Sequence, residues 1–107
     1  MRNKMDLKSK WGALNALSTL NVCMLKDETF SATFPSVSGT VEIGNGGTLT
    51  SVNGRGDAPE KAIDDLWKRL TELSPKEYIV LNAMSRDGRR HVRWNGYMWA
   101  ELPKVSP

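Results

Sequence analysis

The stretch NGRGDAPEKAIDDLWKRL, from Asn53 to Leu70, decides the fold because it carries the most regular helical pattern of the chain. Its apolar positions recur with the period of an α-helix, at Ala62, Ile63, Leu66, Trp67 and Leu70, and the pattern continues to Leu73. Asp57 and Glu60 have the spacing of a capping box, and Pro59 fits the first helical turn. The Ser-Pro pair that follows ends the helix. The stretch therefore predicts a helix that packs one broad face on the rest of the protein.

The glycines before this helix raise the alternative of a phosphate-binding loop. A Walker loop needs a Lys after its last glycine, which is missing here, and GRGDAP lacks the third glycine of a dinucleotide fingerprint. Asp57 and Glu60 also place negative charge at the helix start, where it would repel an anion. The tripeptide Arg55–Asp57 matches an adhesion signal, but Asp57 is expected to cap the helix. We therefore interpret the stretch as a turn into a packing helix.

The rest of the chain predicts an α+β fold with two helices and antiparallel β-meanders, in the order α-β-β-β-α-β-β-β. An N-terminal helix is expected from Asp6, which would cap it, to Leu20. Six strands are expected, at Thr29–Phe34, Gly39–Ile43, Thr48–Val52, Glu77–Ala83, Arg89–Trp94 and Tyr97–Leu102. Tight turns are predicted at Asn45–Gly47, Arg86–Gly88 and Asn95–Gly96.

Length and composition indicate one small domain. With 107 residues, the chain has room for one hydrophobic core, so residues 1–107 are expected to form a single domain with 103–107 as a frayed tail. No apolar run is long enough to predict a membrane span, and the N-terminus does not resemble a secretory signal. The single cysteine, Cys23, excludes an internal disulfide and is expected to be a small buried residue. These features predict a cytoplasmic protein.

Charged residues are distributed unevenly, and they define two candidate binding surfaces. Acidic side chains outnumber basic ones in the middle of the chain, whereas both ends are basic. The acidic candidate surface consists of Asp27, Glu28, Asp64 and Asp65. The basic candidate surface consists of Arg86, Arg89, Arg90, His91, Arg93 and Trp94.

The basic surface has two interpretations. In an extended strand, Arg89, His91 and Arg93 share one face, and Arg90 and Trp94 lie on the other. A cationic strip with aromatic rings is typical of sites for single-stranded nucleic acid, and it would also suit an acidic protein surface. The alternative is an ordinary exposed sheet face with a buried tryptophan.

Catalysis is not predicted. His91 is the only imidazole, and no nucleophile and base have a spacing that would pair them. Asp64 and Asp65 fall on the solvent side of the predicted helix, where pairing with Lys68 and Arg69 one turn later explains them. We therefore expect no catalytic residues, no metal site and no cofactor.

The expected α-β-β-β-α order of residues 6–73 resembles a double-stranded RNA-binding domain. The segment GRGDAPEKAIDDL is similar to the loop by which that family enters its second helix, where a basic cluster grips phosphate. Only Lys61 matches that cluster, while Glu60, Asp64 and Asp65 are acidic. The resemblance therefore implies the topology and leaves RNA binding without its usual cations.

A second resemblance concerns function. The helix entry at Gly56, Asp57, Pro59 and Ala62, followed by Ser74, Pro75 and the strand Tyr78–Leu81, resembles small phage-encoded proteins, including some anti-CRISPR proteins. That class implies a compact, non-enzymatic binder of a host protein or nucleoprotein complex. We therefore expect a non-catalytic inhibitor of a host defence complex, acting in the host cytoplasm and without a membrane partner. The alternative is a nucleic-acid-binding module that uses the basic and aromatic strand.

Overall fold

The structure is a computed structural model that describes residues 6–34, 39–83 and 89–102. These residues form two helices and eight strands, and the α+β class with antiparallel strands is confirmed. In chain order the elements are α1 (Leu7–Leu17), β1 (Asn21–Met24), β2 (Phe30–Thr33), β3 (Gly39–Asn45), β4 (Thr48–Ser51), β5 (Gly54–Gly56), α2 (Pro59–Thr71), β6 (Glu77–Ala83), β7 (Arg89–Trp94) and β8 (Trp99–Glu101). The predicted Arg86–Gly88 turn and the 103–107 tail lie outside the described residues.

The strands form two antiparallel sheets. One has the order β4-β3-β6-β7-β8, and the other has the order β1-β2-β5. The predicted meander of the last three strands is confirmed, with bounds for β6 and β7 that match the prediction. The first predicted meander is regrouped: β2 leaves β3 and β4 and pairs with the two short strands β1 and β5, which the sequence did not predict. Cys23, expected to be buried, is exposed on β1.

Helix α1 begins as predicted but ends earlier. The carboxylate of Asp6 caps it by accepting a hydrogen bond from the Ser9 amide at 2.8 Å. The helix stops at Leu17 and not at Leu20, because Ser18 is already extended. Leu20 is still buried, and its amide donates to the Asn15 side chain at 3.0 Å. The predicted apolar stripe thus continues into the core after the helix has ended.

Helix α2 has the predicted apolar face but a different start. The predicted capping box of Asp57 and Glu60 is wrong, because Ala58 occupies the N-cap position and Pro59 begins the helix. Asp57 lies one residue too early to cap, and its carboxylate pairs with Lys61 at 3.0 Å. The buried residues of the helix are those expected: Ala62, Ile63, Leu66 and Leu70.

Strand β5 lies directly against the backbone of α2, and its two glycines make this possible. A Cβ at Gly54 would lie 2.5 Å from the Leu66 amide nitrogen. A Cβ at Gly56 would lie 2.8 Å from the Ala62 amide nitrogen. Real Cβ atoms do not approach backbone this closely, so the Gly-x-Gly spacing is a packing requirement. It explains the glycines that resembled a phosphate loop.

The core lies around α2, which contacts both sheets. From α2, Leu66 and Leu70 belong to the same buried cluster as Ala32 of β2 and as Ile79 and Val92 of the larger sheet. Three tryptophans flank this cluster: Trp67 packs edge-on against Trp94 and Trp99, with ring centroids 4.8 and 5.7 Å apart. The Trp99 indole N–H donates to the Ala13 carbonyl at 2.7 Å, which ties α1 to β8.

Replacing Gly54 with alanine should destabilise the protein severely. The added methyl group would overlap backbone atoms of α2 that cannot move aside, so Gly54→Ala should lower the free energy of unfolding by about 3 kcal/mol. Gly12→Ala is the matched control: a Cβ there meets no atom within 4 Å, and alanine should raise helix stability by up to about 1 kcal/mol. Urea unfolding followed by far-UV circular dichroism measures both. Equal stability of Gly54→Ala and wild type would contradict the close β5–α2 contact.

Candidate functional site

A cleft of about 650 Å³ lies between β5 and the solvent side of α2. We call it the charged cleft; its lining residues are Thr29, Arg55, Gly56, Asp57, Lys61, Asp64, Asp65 and Lys68. Three carboxylates and three cations therefore line one concave surface. Two of the four residues of the predicted acidic surface, Asp64 and Asp65, lie within it.

Asp65 holds strand and helix together at the floor of this cleft. One carboxylate oxygen, Oδ2, accepts the Arg55 amide at 2.9 Å and the Arg69 guanidinium at 3.0 Å. Partial burial raises the pKa of Asp65, but these two hydrogen bonds outweigh it, and the pKa lies below its usual value. The predicted pairing of Asp65 with Arg69 is confirmed. The carboxylate also satisfies a backbone donor on the free side of β5, which is an edge strand.

The turn between β1 and β2 brings the rest of the acidic surface to the rim of the charged cleft. Asp27 lies 3.8 Å from the Arg55 guanidinium, which also donates to the Thr29 hydroxyl at 3.1 Å. The hydroxyl and amide of Thr29 donate to Asp27 and lower the pKa of its carboxyl. Glu28 is exposed on the same turn, with a backbone φ of 67°. Residues 27–28 and 64–65, far apart in sequence, therefore meet around Arg55.

The remaining charges of the cleft form exposed ion pairs. Lys61 pairs with Asp57 at 3.0 Å, and Lys10 of α1 pairs with Asp64 at 2.9 Å. The predicted partner of Asp64 was Lys68, which has no ion-pair partner within 4 Å among the described residues. Ion pairs in contact with water contribute little to stability because the solvent screens them. A binding partner could therefore replace them at small cost.

The predicted basic surface is divided between the two faces of the larger sheet. Arg90 and Trp94 lie on the face that packs against α2, where Trp94 joins the tryptophan cluster and Arg90 pairs with Glu101 at 2.7 Å. Arg89, His91 and Arg93 lie on the opposite face, which no described helix covers. The alternation was predicted correctly. Arg86 lies outside the described residues.

The arginines of the uncovered face are engaged with the protein itself. Arg93 donates to the carbonyl oxygens of Ser74 and Glu77, so it fastens the connection between α2 and β6. The Arg89 guanidinium donates to the Asn82 side chain at 3.0 Å, and Asn82 in turn donates to Glu42 at 2.7 Å. The charges of this face therefore form a local hydrogen-bond network.

Sequence reasoning missed the aromatic centre of this uncovered face. Tyr78 and His91 stack with ring centroids 4.6 Å apart, and the Tyr78 ring lies over Gly44. The alternation of Tyr78, Val80 and Asn82 along β6 carried the signal. Arg55 was also missed as a binding residue, although its position between two glycines of an extended segment marks it as a side chain on an exposed strand.

Comparison with protein-family models, curated proteins and solved structures finds no match to this chain. In the part of the chain that the structure describes, no helix is long and apolar enough to cross a membrane. Within the same residues, no three His, Cys, Asp or Glu side chains group closely enough to hold a metal ion.

The lowered pKa of Asp65 predicts a pH-dependent contribution to stability. Because the folded-state pKa lies below the unfolded value of about 4, the contribution is present above that pH and is lost as the pH falls through the folded-state pKa. Asp65→Asn should therefore reduce the free energy of unfolding by about 1 kcal/mol at neutral pH, and the difference should shrink below about pH 4. Urea unfolding at a series of pH values measures it.

Asp64→Asn provides the matched control for Asp65→Asn. Its carboxylate makes an exposed ion pair with Lys10, so the loss at neutral pH should stay below about 0.5 kcal/mol. An equal effect of the two substitutions would show that the Arg55 amide does not depend on Asp65.

Proposed function

We propose that this protein is a non-catalytic interaction protein that binds a host protein or nucleoprotein complex through the charged cleft. The observation that carries the proposal is the meeting of Asp27 with Asp64 and Asp65 around Arg55, which turns two distant acidic segments into one concave surface. The resemblance to small phage-encoded inhibitors indicates a host defence complex, of the CRISPR type, as the partner.

The balance of charge in the cleft favours a protein surface over a nucleic acid. A phosphate backbone is bound by an excess of cations, whose counterions and partners are released. Here the cations Arg55 and Lys61 already face Asp27 and Asp57, and the lining carries as many carboxylates as cations. A partner surface with ordered charges of both signs would complement this pattern and would gain specificity from it.

The acidic members of the cleft also suit a basic groove. Asp27, Asp57 and Asp64 are each more than half exposed, so their carboxylates can pair with lysine or arginine side chains of a partner. A defence complex that binds nucleic acid presents such cations in its own groove. Occupation of that groove by the charged cleft would exclude the nucleic acid and inhibit the complex without any chemical step.

Affinity capture with charge-reversed variants tests this proposal. The tagged protein is incubated with nuclease-treated bacterial lysate, and we expect it to retain a protein partner. The double substitution Asp27→Lys and Asp64→Lys should reduce capture by about tenfold or more, because two desolvated charge contacts become repulsive.

The matched control has the same change in net charge at another place. Glu72→Lys and Glu101→Lys reverse two exposed carboxylates outside the cleft, and they should leave capture unchanged. Equal loss with both double variants, or no capture by the wild-type protein, would contradict the proposal.

A second candidate function is the binding of single-stranded nucleic acid on the uncovered sheet face. The stacked rings of Tyr78 and His91, with Arg89 on the next residue pair, are the observation that favours it. Fluorescence anisotropy with single-stranded RNA and DNA across a salt series tests it, with Arg89→Ala and His91→Ala expected to weaken binding. Absence of binding at low salt would exclude this candidate, whereas tight, strongly salt-dependent binding would count against the protein-binding proposal.

A further inference from the structure

The two edges of the three-stranded sheet are treated differently. At the β5 edge, the outward-pointing Arg55 amide is bound by Asp65. At the β1 edge, no described strand pairs with the outer side of Asn21–Met24. An edge strand with free backbone donors and acceptors is a template for pairing with another strand.

The register of the β1–β2 hairpin shows which backbone groups point outward at this edge. The Leu25 amide donates to the Thr29 carbonyl at 2.7 Å, and the hydrogen-bonded pairs of an antiparallel ladder alternate from there. The pairs Cys23–Ser31 and Asn21–Thr33 are therefore hydrogen-bonded to each other. Val22 and Met24 consequently direct their N–H and C=O groups away from β2, towards the free side.

The β1 edge lacks the features by which proteins protect such edges. Its four residues, Asn21, Val22, Cys23 and Met24, include no charge and no proline. The Met24 side chain is 60% exposed beside Val22, which is packed partly against the core. An uncharged edge with an exposed apolar side chain suits a strand of the same kind, because two identical uncharged edges do not repel each other.

We infer that β1 pairs antiparallel with β1 of a second copy, so that the two three-stranded sheets join into one of six strands. The outward groups of Val22 and Met24 fix the register: Val22 of one copy exchanges hydrogen bonds with Met24 of the other, and the reverse. The two-fold axis then passes between the two Cys23 residues, which face each other as a non-hydrogen-bonded pair. In this arrangement each exposed Met24 side chain covers Val22 of the other copy.

This interface is independent of the charged cleft, which lies at the opposite edge of the same sheet. It is small, so the dimer should be weak and should form in a concentration-dependent manner. The proposal concerns association with a second copy, and a failure of the capture experiment above would leave it unaffected.

Cysteine crosslinking tests the register. Cys23 is the only cysteine of the chain, and a short bismaleimide should join two copies through it, which denaturing electrophoresis detects as a covalent dimer. The matched control is the double substitution Cys23→Ser and Thr50→Cys, which moves the single thiol to the centre of β4, an exposed and uncharged edge of the larger sheet. Crosslinking of the wild type should be at least about tenfold faster at equal concentration, because only β1 would align its thiols.

Sedimentation velocity tests the interface without a reagent. Cys23→Ser should still associate, because the inferred contacts are backbone hydrogen bonds and the Val22–Met24 packing. Met24→Lys should weaken association by about tenfold or more, and Leu49→Lys, on β4, should leave it unchanged. Circular dichroism checks that both variants are folded.

Three results would overturn the inference. These are a wild-type protein that stays monomeric at high concentration, equal crosslinking of the Thr50→Cys control, and association that Met24→Lys does not weaken.

Discussion

The backbone contact between β5 and α2 is the constraint on which the rest of the structure depends. Gly54 and Gly56 allow the strand to lie directly on the helix, so that the Arg55 amide between them reaches the Asp65 carboxylate. The same strand pairs with β2 and so carries the turn with Asp27 to the Arg55 guanidinium. Side chains at either glycine would separate strand and helix, and the charged cleft between them would lose its floor.

Local pattern predicted those elements whose burial repeats regularly. The apolar face of α2 and the bounds of β6 and β7 follow from periodicity, because each buries many residues on one side. Strand β5 could not be predicted in this way, since it has three residues and two of them are glycine. It is a strand because β2 and α2 pack against it. The early start assigned to α2 has the same origin: β5 keeps the chain extended, and Asp57 comes one residue too early to cap.

The candidate site shows the same division between local and long-range information. Helical spacing placed Asp64 and Asp65 correctly on the solvent side of α2, but their meeting with Asp27 depends on the β2–β5 pairing. Strand alternation assigned Arg90 and Arg93 to opposite faces correctly. It could not show that Arg93 turns back to the carbonyl groups before β6, because that contact depends on how the α2–β6 connection folds.

The order β1-β2-β5 also relates the charged cleft to the inferred dimer. In a six-stranded sheet joined through β1, the two β5 strands occupy the outer edges, five strand spacings or about 24 Å apart. Both clefts then remain open, one at each end of the sheet. Two weak contacts with a partner that offers two cationic sites at this spacing would reinforce each other, since the second contact forms at a high effective concentration. A cleft made of exposed, individually weak ion pairs would thereby gain affinity from its duplication, without any additional contact within one copy.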